Sequence, residues 1–151
     1  MFLSGMLAWG RSAVKQSPGP RGGTWVRWLP AISLMAGIFY LSHQSTPLGE
    51  TSNGALPIVA HLGLFATLAV FISFGLTGSA GRPCRAPLWL VAVLAFSLTV
   101  LYGVTDEVHQ AFVAGRVASE ADLALDATGA LLAVAAYAAF LRLLRSGRPF
   151  P

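Results

Sequence analysis

Four apolar runs set what this chain can fold into. They cover about 25–42, 56–76, 87–105 (or a little beyond) and 122–144. An α-helix rises ~1.5 Å per residue, so about 20 apolar residues cross the hydrocarbon core of a bilayer. The first run is short and carries Pro30 near its start, where the first turn of a helix tolerates proline. Charged residues make up 11% of the chain, against about 25% in soluble domains. A water-facing surface cannot be built from so few charges. The expected fold is all-α: a polytopic membrane protein formed as a four-transmembrane-helix bundle.

The basic residues give an expected orientation. Arg11, Lys15, Arg21 and Arg27 precede the first run or open it. Arg82 and Arg85 separate the second from the third, and Arg142, Arg145 and Arg148 end the fourth. The first-to-second connection carries Glu50 and no Lys or Arg, and the third-to-fourth carries Arg116 alone. Nine of ten basic residues thus fall in alternate segments. Short basic segments stay in the cytoplasm, which predicts a multi-pass protein of the plasma (inner) membrane with both termini cytoplasmic. The net charge of +4 is explained by this topology, and no nucleic-acid partner is expected.

Residues 1–24 are read as a cytoplasmic tail and linker, 25–145 as the membrane domain and 146–151 as a second cytoplasmic tail. The apolar stretch 1–9 has its basic residues after it, the reverse of a signal peptide. Cys84 is the single cysteine, so neither an intrachain disulfide nor a cysteine-based zinc site is expected.

Chemistry concentrates in one window. Asp106, Glu107, Glu120, Asp122 and Asp126 are five of the six acidic residues, and His109, Gln110 and Arg116 stand among them. A charged group at a helix centre in hydrocarbon costs about 2.5–3.5 kcal/mol on insertion scales, so such groups are seldom incidental. Asp106 with His109 and with Gln110 is spaced i, i+3 and i, i+4, one face of a helix, while Glu107 is rotated about 100° away, towards the loop. Asp122 and Asp126 repeat the spacing, and their stripe continues as Gly129, Ala130 and Ala133, small residues that let another helix approach. Asp126 lies ~6 Å deeper than Asp122, where a carboxylate must be paired, protonated or in contact with water. His61, recessed on the second run, is one candidate, and Arg116 on the loop is another. Structural roles compete with these. Asp122 is also a plausible helix-start acid, Asp126 a clamp between helices, and His43 a helix-end polar residue.

Asp106-Glu107-x-His109-Gln110-x-Phe112, Arg116, Ser119 and Asp122-x-x-x-Asp126-x-x-Gly129 together resemble the signature of VanZ-like membrane proteins. That signature reads D-E-x-x-Q-x-F, an arginine, a small hydroxyl residue and D-x-x-x-N-x-x-G. Phe39-Tyr40-Leu41-Ser42 with Gln44 and Pro47 resembles its first-helix ending, and His61 with Phe65 and Leu68 its second-helix motif. The likeness covers roughly 30–140. The chain departs from it at Asp126, where the family usually has Asn, and in lacking a lysine shortly before His61. The resemblance implies a bacterial cell-envelope protein of a family named for a member associated with teicoplanin resistance.

The expected function is binding of an envelope component at a polar pocket on the outer face. That component is a membrane lipid head group, a lipid-linked glycan or a membrane-protein partner. The candidate cluster is His61, Asp106, Glu107, His109, Gln110, Arg116, Asp122 and Asp126. No cofactor is expected. A metal-dependent or acid/base enzyme acting on an envelope precursor is the alternative, with His61, Asp106, His109 and Asp122 as weak metal-ligand candidates. A small proton-coupled transporter using Asp126 is a second alternative. The oligomeric state is not legible.

Overall fold

The computed structural model describes residues 25–45, 55–78 and 86–147. A 3-10 turn, Trp25–Trp28, leads into α1 (Leu29–Ser42), followed by α2 (Ala55–Leu76), α3 (Leu88–Gln110) and α4 (Glu120–Ser146). No strand occurs among the described residues. All four helical stretches are long and apolar enough to cross a membrane, the first when its 3-10 turn is included. Arg11, Lys15, Arg21, Glu50, Arg82, Cys84, Arg85 and Arg148 lie outside the described residues.

The helix ends follow local chemistry. Pro30 sits in the first turn of α1, where its missing N–H leaves no bond unmade. α3 continues through the acidic window to Gln110, beyond the 87–105 run. α4 begins at Glu120, capped by Ser119, whose Oγ accepts a 3.2 Å bond from the Asp122 amide. Asp122 is therefore a first-turn acid rather than the cap.

α2 packs most extensively on α4, α3 lies against both, and α1 rests on α2 and α3. The α2–α4 approach depends on Gly129. A Cβ there would meet the backbone of Leu62, with the Leu62 Cα and carbonyl carbon each at 3.1 Å. Ala130 and Val134 continue the seam, and the core is completed by Phe65, Leu68, Ala69 and Ile72 of α2, Ala95 of α3 and Ala31 and Ile38 of α1. Small side chains let the backbones approach, which substitutes for a hydrophobic driving force in lipid. Large apolar residues such as Ile32, Trp89, Leu101 and Leu132 face outward.

At the end opposite the acidic window, the 3-10 turn is fastened to α2. Arg27 donates from Nε and Nη2 to the Phe74 carbonyl oxygen at 3.1 and 2.7 Å, and its guanidinium lies 4.0 Å over the Phe74 ring. The Trp28 indole packs where a Gly75 side chain would otherwise stand. Thr77 and Tyr137 hydroxyls meet at 3.0 Å. Ser73 and Thr99, buried along the interior, each donate to the carbonyl four residues earlier in their own helix. No charged residue is buried away from the acidic window among the described residues.

Candidate functional site

The acidic window and the polar residues of α1 and α2 converge at one end of the bundle. There they form two buried networks, and residues of both line one cavity. The first joins α3 to α1. Ser42 Oγ donates to Asp106 Oδ2 at 2.8 Å, and Gln110 Nε2 donates to the same oxygen at 2.9 Å and to Ser42 Oγ at 3.4 Å. Asp106, Gln110 and Ser42 are all buried. The i, i+4 pairing of Asp106 and Gln110 is present as spaced in the sequence. Ser42, placed by the sequence in the first-helix ending but not in the candidate cluster, is the partner on α1. Nearby, Tyr102 donates its hydroxyl to the Met35 carbonyl at 2.6 Å, a second tie between the same helices.

The second network joins α2, α3 and α4. His61 Nδ1 lies 2.9 Å from Asp126 Oδ1, and His61 Nε2 lies 3.9 Å from Asp122 Oδ2. Asp126 is 0% exposed. Its other oxygen, Oδ2, faces Gly103 of α3, where a Cβ would come within 3.3 Å. Glu107 reaches the same place from α3, with Oε2 accepting a 2.7 Å bond from the Ser119 amide. It does turn towards the α3–α4 loop, as its helical angle suggests, but is buried beneath it. The Phe65 ring stacks one turn below His61 with 7° between planes. Of the two partners proposed for Asp126, His61 is the one in contact.

His109 goes elsewhere. It packs against Phe39, with ring centroids 4.4 Å apart and planes tilted by 30°, and faces His43, Nε2 to Nδ1 3.4 Å. It therefore lies on the α1 side of α3, away from His61 and Asp122. The set His61, Asp106, His109 and Asp122 is not gathered at one point. The residues whose ligand-type atoms do come together are His61, Glu107 and Asp126, all within 4.8 Å of one another.

Arg116 lies in the α3–α4 connection. Gly115 before it adopts φ +82°, a left-handed turn suited to glycine, and passes close to Ser45 at the end of α1. This brings the Arg116 side chain over a cavity of about 370 Å³. Its lining is mixed: Ile38, Leu41, Pro57, Ala60, Leu64 and Phe65 are apolar, and Ser42, His61, Asp106, Gln110, Arg116 and Asp122 are polar. Among the described residues Arg116 forms no ion pair and no side-chain hydrogen bond, and its buried Nε has no partner.

Known proteins add a family but no closer relative. No curated protein and no solved structure matches the chain. The family model described as VanZ/LLP1 matches residues 14–142, most of the chain, with three candidate spans whole and all but the end of the fourth. The chain is a multi-pass membrane protein of the VanZ/LLP1 family.

Proposed function

We infer that the protein binds an anionic membrane component, with the phosphate of a lipid or lipid-linked envelope precursor held by Arg116. The observation that carries this is the cavity itself: a guanidinium unpaired among the described residues, in a lining that also holds aliphatic and aromatic side chains. A planar guanidinium fits two phosphate oxygens at once. Ser42 and Gln110 also line the cavity, with their donors committed to the Asp106 network. The apolar side chains from Ile38 to Leu64 suit the first methylenes of an acyl or polyprenyl chain. Binding sites of this kind are largely apolar with a few placed polar groups, and ~370 Å³ lies within their usual range. The alternation of basic segments supports placing this end outside the cell membrane with both termini in the cytoplasm.

The test is lipid retention. Protein in nanodiscs of mixed phosphatidylglycerol and phosphatidylcholine is extracted gently, and bound lipid is identified by native mass spectrometry. Enrichment of the anionic lipid is expected, reduced about tenfold in Arg116→Gln. Arg116→Lys is expected to restore little of it, because an ammonium does not reproduce the fork. Equal retention by wild type and Arg116→Gln would overturn the assignment. The same retention in the presence of a chelator is expected.

A further inference from the structure

The second network has more anionic groups than its partners satisfy. Glu107, Asp122 and Asp126 surround one imidazole, and among the described residues no Lys or Arg pairs with any of them. Among the described residues, each buried carboxylate has one oxygen anchored and one left over. Glu107 Oε2 takes the Ser119 amide while Oε1 has no partner. Asp126 Oδ1 meets His61 while Oδ2 has no partner. His61 commits Nδ1 and leaves Nε2 directed at Asp122, 3.9 Å away. Glu107 is 7% and Asp126 0% exposed, so water does not freely meet the leftover oxygens. Buried acceptors without donors are costly, and a carboxylate costs more than a neutral group.

Anchoring one oxygen and leaving the other bare is how proteins orient metal-ligating carboxylates. We propose that His61, Glu107 and Asp126 bind one divalent transition-metal ion, with Asp122 completing the site from the cavity side. The ligand atoms stand within 4.8 Å of one another. A tetrahedral zinc site with bonds of about 2.0–2.2 Å brings ligands to roughly 3.4 Å apart, so side-chain shifts on the order of 1 Å assemble it. One nitrogen with carboxylate oxygens suits zinc or manganese better than the oxygen-only preferences of calcium and magnesium. The ion supplies the positive charge that the surrounding helices lack, and the site borders the cavity through His61 and Asp122. Its ligands are distinct from Arg116, so the inference stands apart from anion binding.

The test uses full-length protein in detergent, stripped with chelator and then titrated with Zn2+ or with Co2+ as a spectroscopic probe. One ion per chain by elemental analysis is expected, with visible cobalt bands of a nitrogen- and oxygen-ligated site. Zinc should raise the melting temperature of the wild type. Asp126→Asn and Glu107→Gln should each weaken zinc binding at least about tenfold and abolish the melting shift. His109→Gln and Arg116→Gln should change neither. Absence of saturable binding and of any melting shift in the wild type would overturn the proposal. So would undiminished binding in both Asp126→Asn and Glu107→Gln, or equal loss in His109→Gln.

Discussion

His61 and Asp126 meet at 2.9 Å because Gly129 lets α4 touch the backbone of α2 at Leu62. The histidine precedes the contact point by one residue and the aspartate by three. The buried pair therefore depends on a glycine that takes no part in it. Gly129→Ala should destabilise the protein by about 1–3 kcal/mol, as overpacking at a tight interface does. Gly63→Ala is the control, since a Cβ there meets nothing within 4 Å, and should stay within about 0.5 kcal/mol. Thermal melts in one detergent compare the two directly. Equal effects would show that the α2–α4 approach is not set by Gly129.

The pair itself should show coupling. Asp126→Ala leaves His61 Nδ1 without its partner in a part-buried position, at a cost of about 1–3 kcal/mol. Asp126→Asn keeps an acceptor for His61 and should lose less. In a double-mutant cycle, His61→Ala and Asp126→Ala should be non-additive by at least about 0.5 kcal/mol. Additivity would mean that the contact contributes nothing to the fold.

Asp106 Oδ2 takes two hydrogen bonds, from Ser42 and Gln110. Removing one donor leaves the other in place, whereas removing both leaves a buried carboxylate bare. Ser42→Ala and Gln110→Leu should each cost about 1 kcal/mol, and together more than their sum. Denaturant or thermal unfolding of the two single variants and the double variant measures this. A double variant no worse than the sum would rule it out.

At the opposite end, Arg27 combines two bonds to the Phe74 carbonyl with a position over the Phe74 ring. Phe74→Leu removes the ring and keeps the carbonyl, so it should cost less than Arg27→Met, which removes both interactions. The cation–π part is worth roughly 0.5–1 kcal/mol at an exposed site. Neither change should alter lipid retention, because both lie a full membrane span from Arg116. A binding defect in Arg27→Met would contradict that separation.

The spans were legible because run length and charge scarcity leave few alternatives for a chain this apolar. Asp126 was legible as a buried partner because its helix stripe continues into Gly129 and Ala130. Its choice of His61 over Arg116 was not, since that depends on how a loop turns at Gly115. The separation of His109 from the other window residues was also hidden. Successive residues on α3 point about 100° apart. Asp106 faces α1, Glu107 faces α2 and α4, Val108 faces outward and His109 returns to the α1 edge. A periodicity argument assumes one interior face. α3 has two, because it meets α1 along one face at its polar end and the α2–α4 pair along another.

The adjacency of Asp106 and Glu107 has a mechanical result. One carboxylate is tied to α1 through Ser42, the next to the start of α4 through the Ser119 amide. Rolling α3 in either direction to relax one tie pulls the other out of reach. The helix is thus fixed in rotation at its polar end. Any ligand that displaces an anchored oxygen of one of these acids loosens that hold on the rotation of the helix.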